Sequence, residues 1–296
     1  MVASYLFHGL RAIDRACPPP LLAAVVWPGL ATLGIAEACG SLGRQYRRRM
    51  ARVHGVRPGL WESWRHAVDR LSMRLVCLWP ERFLVNPWRS RLSITGLDEV
   101  RDRLTAGTPV VFAVLHFGEL TLLHSVLRAN GIPVASLTVS GDHLYRDETD
   151  AVAEAAGGLR DVPRRFMRDT DLRQAYCFLR SGGCLLIACD LSSKRSVDIP
   201  TDLGTVRLAT GAFQMAGMAG ACVVPVILWQ ERRWRFGLAC GSPLDPSDGS
   251  TDAVKRIAEA CVAHWVPVIK RYPEQYPYLD NRIWTRALEP GTTSPA

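Results

Sequence analysis

The sequence predicts an α/β protein with a mostly parallel central sheet flanked by helices, preceded by a helical, membrane-associated N-terminal segment. From residue 92 onward, short apolar runs typical of buried strands alternate with segments whose apolar residues recur at helical spacing. The 296 residues suffice for one large α/β domain with a smaller appendage, and 48% hydrophobic and 22% charged residues are ordinary for a globular protein. We therefore expect a membrane-associating region (1–90), an α/β domain (91–288) and a loose polar tail (289–296).

The N-terminal region combines apolar and basic segments. Met1–Ala16 is predicted to be a short amphipathic helix, which ends at a run of prolines. Leu21–Cys39 is apolar and marginally long enough to span a bilayer, but Pro28 interrupts it, so a membrane span, an interfacial segment and a buried core helix all remain open.

A basic patch follows directly, because no acidic residue occurs between Glu37 and Glu62. A solvated helix face is the plain interpretation, but the adjoining apolar run favours attraction to anionic lipid and, if that run spans, a cytoplasmic location for this end. The patch contains six arginines: Arg44, Arg47, Arg48, Arg49, Arg52 and Arg57.

The remaining elements are predicted from apolar periodicity and turn residues. Besides a short extended piece at Leu92–Ile94, strands are expected at Val110–Leu115, Ile132–Val139, Cys184–Cys189, Cys222–Leu228 and Trp234–Ala239. Helices are expected at Trp61–Leu84, Gly96–Ala106, Phe117–Leu127, Asp150–Ala156, Leu172–Leu179, Ala209–Ala219 and Asp252–Lys270.

Several functional classes lack their sequence motifs. The chain has no Walker A loop, no G-x-G-x-x-G, no G-x-S-x-G and no H-E-x-x-H. Its nine cysteines are scattered without a C-x-x-C pair, which fits a reducing compartment and disfavours a structural zinc site. The formal charge of +8 leaves nucleic-acid binding possible on charge alone, but no aromatic and basic platform supports it. We therefore expect no zinc site of the usual kind and no nucleic-acid partner.

His116 is the strongest candidate for chemistry. It lies where the buried strand Val110–Leu115 ends and the next helix begins. Ligands of open parallel sheets bind at the carboxyl ends of the strands, and a histidine there can act as a general base near pH 7. The alternative is an ordinary polar residue in a loop.

Five stretches in order resemble the bacterial lipid A biosynthesis acyltransferases, the late lauroyl and myristoyl transferases within the lysophospholipid acyltransferase superfamily. These are Ile94–Val100 followed by Gly107–Phe112, then His116–Gly118, then Leu179–Asp190, then Val197–Gly211 followed by Ala221–Pro225, and last Tyr272–Tyr276, with its PEQY sequence, followed by Arg282–Trp284. The last is the most specific, and the resemblance as a whole, from Ile94 onward, covers about two thirds of the chain. The resemblance implies a glycerol-3-phosphate-acyltransferase-like fold at the cytoplasmic face of the inner membrane.

The resemblance also implies acyl transfer without a covalent enzyme intermediate and without a metal or redox cofactor. Acyl carrier protein or CoA would supply the acyl thioester as co-substrate, and His116 would deprotonate a hydroxyl of a lipid or glycolipid acceptor. The family has an acidic residue five positions after this histidine, where this chain has Thr121. Glu119, if it shares a helical face with His116, or Asp190, at the end of another predicted strand, would then orient the ring; His124 is a weaker alternative.

Substrate-binding residues are inferred from the same chemistry. Backbone N–H groups at the start of the predicted Phe117–Leu127 helix, among them those of Phe117 and Gly118, together with an arginine, would stabilise the oxyanion. An arginine could also hold an acceptor phosphate or the acidic carrier protein. The candidates are Arg160, Arg164 and Arg207. The Thr121 departure keeps two alternatives open: an acceptor other than lipid A, such as an ornithine lipid, another glycolipid or an aryl-polyene pigment, and an inactive homologue that binds lipid or carrier protein.

Overall fold

The computed structural model describes residues 19–77, 89–138, 165–167, 171–191, 193–245, 250–279 and 284–285. The helices predicted at Met1–Ala16 and Asp150–Ala156, the candidates Arg160 and Arg164, and the tail from residue 289 lie outside the described residues. The boundary placed between residues 90 and 91 stays a prediction.

Three helices form the described part of the N-terminal region: α1 (Pro19–Cys39), α2 (Ser41–His54) and α3 (Leu60–Cys77). One face of α1 packs against α3, where Trp64 Nε1 donates to the Ala31 carbonyl at 2.9 Å. The helices approach so closely that a Cβ at Gly34 would lie 2.5 Å from Val68. The opposite face of α1 exposes Leu33 and other apolar side chains. Within the described ranges, we find no helix with the length and apolar character that crossing a membrane requires.

The α/β region contains two sheets and five helices within the described residues. The bounds are β1 Leu92–Thr95, α4 Leu97–Thr105, β2 Val110–Val114, α5 Leu120–Ala129, β3 Val134–Thr138, β4 Arg165–Met167, α6 Leu172–Arg180, β5 Cys184–Ala188, β6 Ser196–Thr201, β7 Gly204–Ala209, α7 Gly211–Ala219, β8 Cys222–Arg232, β9 Arg235–Cys240, α8 Thr251–Arg271 and β10 Trp284–Thr285.

The main sheet has seven strands among the described residues, in the order β1-β9-β8-β2-β5-β3-β4. Of these, β9 and β1 run against the other five, because β9 pairs antiparallel with β8 and β1 pairs parallel with β9. The predicted mostly parallel sheet is therefore confirmed.

The continuous apolar sequence of β2 follows from its central position in the sheet. Its side chains alternate between two hydrophobic clusters, since successive residues of a strand point to opposite faces. Val110, Phe112 and Val114 pack with residues of α4 and α5, whereas Val111 and Ala113 pack with residues of α6, α7 and α8. Every residue of β2 is buried, so neither face tolerates a polar side chain.

Strands β6 and β7 form a hairpin that the apolar pattern did not predict. Together with β10 they make a second, three-stranded sheet. Its residues alternate between buried positions, such as Val206 and Leu208, and exposed ones, such as Asp198 and Arg207. No continuous apolar run marks such a half-buried strand. The predicted end of β8 at Leu228 was also wrong, because pairing with β9 continues β8 to Arg232.

Candidate active site

His116 and Asp190 form a hydrogen-bonded pair at the carboxyl edge of the main sheet. The His116 Nδ1 and Asp190 Oδ1 atoms are 2.7 Å apart, and the His116 backbone N–H donates to Asp190 Oδ2 at 2.8 Å. The Asp190 side chain is completely buried, whereas the His116 side chain is 26% exposed. An ionised carboxylate can only accept, so Nδ1 carries the proton and the ring lone pair is on Nε2.

Adjacent parallel strands bring these two residues together. The last paired residues of β2 and β5 are Val114 and Ala188, which lie opposite each other. His116 and Asp190 each follow two residues later, so equal offsets from a shared register place them side by side. The Cys189 N–H donates to the Val114 carbonyl at 2.9 Å and continues the strand pairing to the edge of the site. Burial raises the pKa of the Cys189 thiol, which keeps it protonated and unreactive.

Glu119 lies beside this pair in sequence but makes no described side-chain contact with His116. The proposed sharing of a helical face required His116 to lie in the first helical turn. Helix α5 instead begins at Leu120, with Glu119 as its N-cap residue, so His116 lies in the preceding loop. That condition for a Glu119 partnership is not met.

The loop between His116 and α5 is held by backbone contacts. Gly118 has φ of +65°, a conformation that favours glycine, and a Cβ there would lie 2.3 Å from the Leu228 carbonyl oxygen. The Phe117 N–H donates to the Leu115 carbonyl at 2.7 Å, and the Gly118 N–H donates to the Gln275 carbonyl at 3.1 Å. Both N–H groups expected to stabilise an oxyanion are therefore already engaged.

A C-terminal segment, Pro273–Leu279, covers the pair. The Tyr278 ring meets the His116 ring edge-on, with centroids 5.3 Å apart and planes at 70°. Tyr276 is fully buried; burial raises its pKa well above the usual 10, and the nearby negative charge of Asp190 raises it further. The Gln275 side chain donates to the Gln230 carbonyl at 2.7 Å and accepts from the Gln230 N–H at 2.8 Å. These bonds anchor the segment to the part of β8 that extends beyond its pairing with β2.

Sequence reasoning assigned no role to these tyrosines. The available signal was the specific PEQY resemblance, which marked the segment but did not indicate that it returns to His116.

The other candidates among the described residues are Arg207 and His124. Arg207 donates from Nε and Nη2 to the Asp198 carboxylate, each at 2.7 Å, on the exposed surface of the β6–β7 hairpin. These bonds hold the pKa of Asp198 below its usual range. His124 is buried in α5. No described contact joins either residue to His116, and within the described ranges no three acidic, histidine or cysteine side chains group to hold a metal ion.

Comparisons with known proteins identify the family of the chain. Residues 76–285 match the family model described as bacterial lipid A biosynthesis acyltransferase. The lipid A biosynthesis lauroyltransferase of Escherichia coli (strain K12) is 25% identical over 223 residues, which cover 70% of this chain and 65% of that protein. The matched part therefore spans slightly less than two thirds of that relative. The family match covers more than half of the chain, and the protein belongs to the bacterial lipid A biosynthesis acyltransferase family.

Proposed function

We propose that the protein transfers a fatty acyl group from an acyl thioester to a hydroxyl of a lipid or glycolipid acceptor, with His116 as the general base. The observation that carries this proposal is the buried Asp190 carboxylate bound to Nδ1 of a partly exposed histidine. A lipid acceptor is consistent with the family match. Lipid A or a lipid A-like molecule is the specific acceptor we propose.

The proposed reaction is a direct transfer. His116 Nε2 removes the proton from the acceptor hydroxyl as its oxygen attacks the thioester carbonyl. The tetrahedral intermediate collapses, the carbon–sulfur bond breaks, and the proton moves from His116 to the departing thiolate. Asp190 orients the ring and stabilises the imidazolium between the two proton transfers. No covalent bond to the enzyme is needed.

We propose that the oxyanion donors lie further along the chain than Phe117 and Gly118. Because the Phe117 and Gly118 N–H groups are engaged, the first turn of α5 is the better source. N–H groups at positions N1 to N3 of a helix have no intrahelical acceptor, and these are the N–H groups of Leu120, Thr121 and Leu122. The positive end of the helix dipole would add to their effect.

We propose that the N-terminal helices place the enzyme on the anionic cytoplasmic face of the inner membrane. Large apolar side chains are exposed there, with Leu60 and Trp61 at 66% and 63%. The same region has a groove of about 690 Å³ lined by arginines that include Arg44 and Arg57. Apolar and basic groups together bind anionic interfaces. The acyl carrier protein, which is acidic, is the proposed donor, with acyl-CoA as the alternative.

The decisive experiment is acyl transfer from labelled acyl-carrier protein into a total lipid extract, comparing wild type with His116→Ala. We expect transfer to collapse in the variant at an unchanged melting temperature, and mass spectrometry of the product would name the acceptor. His264→Gln is a matched control, since His264 lies on α8 near the Ala239 carbonyl. Equal transfer by His116→Ala would remove His116 as the base.

A second outcome would favour a different class of function. If wild type transfers no acyl group from acyl-carrier protein or acyl-CoA to any acceptor, yet still binds lipid or carrier protein, the fold acts here as a binding protein.

A further inference from the structure

We propose that Arg49 and Arg52, on helix α2, are positioning residues for the active site. They hold the Pro273–Leu279 segment, and with it Tyr276 and Tyr278, against the His116–Asp190 pair. The inference rests on the proposed function for its kinetic consequence but not for its structural one.

Arg49 is a buried cation that donates two of its hydrogen bonds to the C-terminal segment. Its side chain is 5% exposed. Nη1 donates to the Glu274 carbonyl at 3.0 Å, and Nη2 donates to the Pro277 carbonyl at 3.1 Å and to Gln45 Oε1 at 2.9 Å. The two carbonyls lie on either side of Tyr276, so one rigid guanidinium fixes both ends of the turn that carries it.

Arg52 continues the same contact one helical turn further along α2. It donates to the Leu279 carbonyl and, from Nη2, to the Trp284 carbonyl at 3.0 Å. Trp284 packs edge-on against Tyr276, with ring centroids 5.8 Å apart. Arg49 and Arg52 thus share a face of α2, three positions apart, and together hold backbone carbonyls of the Pro273–Leu279 segment and that of Trp284.

The clamp reaches the catalytic loop through backbone contacts. The segment accepts the Gly118 N–H at the Gln275 carbonyl, and Tyr278 covers the His116 ring. Loosening the segment would therefore release one support of the loop and expose the imidazole. Displacements of about 1 Å in a catalytic site can cost about 100-fold in rate.

This assignment divides the arginine-rich stretch into two functions. Arg49 is too deeply buried to contact lipid headgroups, and the Arg52 guanidinium is engaged by two carbonyls. The expectation that all six arginines form one lipid-attracting patch is therefore wrong for Arg49. Exposed members such as Arg44 and Arg57 remain suited to an anionic surface.

The test compares Arg49→Ala and Arg49→Lys with wild type by two independent measurements. One is kcat and KM for acyl transfer; the other is the rate at which diethyl pyrocarbonate modifies His116, followed by peptide mass spectrometry. The control is Arg101→Ala, which removes a helical arginine that also donates to a backbone carbonyl, that of Asn130, at the other end of α5.

We expect Arg49→Ala to lower kcat about 10- to 100-fold with KM for the donor nearly unchanged. His116 should be modified several-fold faster, because Tyr278 no longer covers it. Arg49→Lys should fall between wild type and the alanine variant, since an ammonium cannot bridge both carbonyls as the guanidinium does. Arg101→Ala should match wild type in both measurements.

Two results would overturn the inference: an unchanged His116 modification rate in a folded Arg49→Ala, or equal effects of Arg49→Ala and Arg101→Ala. If Arg49→Ala does not fold, Arg49→Lys and Arg52→Lys decide by the same criteria. If wild type itself transfers no acyl group, the proposed function fails, and the modification rate alone still decides whether Arg49 positions the segment.

Discussion

Replacing Asp190 with asparagine should remove most of the catalytic power of His116 while preserving the shape of the site. Asp190 accepts hydrogen bonds from His116 at 2.7 and 2.8 Å, and its side chain is completely buried. A hydrogen bond to a charged group contributes about 1.5–3 kcal/mol. With tenfold in rate per 1.36 kcal/mol, its loss in the transition state predicts about 10- to 150-fold lower kcat.

The wrong tautomer would make the loss larger. An asparagine NH₂ that donates to His116 Nδ1 would place the ring proton on Nε2, where the acceptor hydroxyl must be deprotonated. The corresponding change in serine proteases costs about 10⁴-fold, which sets the upper limit here. We therefore expect a fall between about 10- and 10⁴-fold in kcat, with a smaller change in KM.

The assay is initial-rate acyl transfer at saturating acyl-carrier protein, with the melting temperature as the measure of folding. Glu119→Gln separates the two candidate carboxylates: it should change kcat less than about threefold, because Glu119 makes no described contact with His116. Asp98→Asn, at a surface position 94% exposed, is the control for expression and handling. Near-normal activity of Asp190→Asn, or a large loss in Glu119→Gln, would refute the assignment of Asp190 as the partner.

Three further outcomes follow from the structure. Gly118→Ala should destabilise the protein by at least about 2 kcal/mol more than Gly131→Ala, as measured by urea unfolding. Both glycines have positive φ, but only at Gly118 would the new Cβ strike a carbonyl oxygen of β8. Equal losses of stability would show that the loop can shift. Burial lowers the pKa of His66 from 6.5 to about 3. Between these values the unfolded chain binds one more proton than the folded one, so the protein becomes less stable as the pH is lowered. From pH 7 to pH 5, wild type should lose about 2 kcal/mol more stability than His66→Phe, and parallel losses would argue against a neutral buried ring. Among the cysteines whose exposure is described, N-ethylmaleimide at pH 7.5 should label only the exposed Cys39 and Cys177 and should leave acyl transfer intact. The buried core thiols should not react, because burial raises their pKa and keeps them protonated. Modification of a core cysteine in the folded protein, detected by peptide mapping, would contradict this prediction.

In the N-terminal region, sequence composition did not predict which arginines are buried and which are exposed. Six arginines without acidic neighbours indicated a lipid-attracting surface, and composition made no distinction among them. Their separation depends on the rotation of α2 against the C-terminal segment, more than 200 residues away in the chain, which buries Arg49 and leaves Arg44 exposed. Helical periodicity predicts that a face exists, but the identity of its distant neighbour is a property of the tertiary fold.

The sequence by itself determined the mostly parallel sheet and placed His116 and Asp190 at strand ends, because a strand buried on both faces must be continuously apolar and a polar residue can follow only where it ends. Only the tertiary structure decided that Asp190 contacts His116 at Nδ1: strand order makes β2 and β5 neighbours in register, and hydrogen bonding between strands far apart in the chain leaves no local trace in either. The same holds for the tyrosines of Pro273–Leu279, whose place over His116 depends on long-range contacts with β8 and α2 that local periodicity cannot encode.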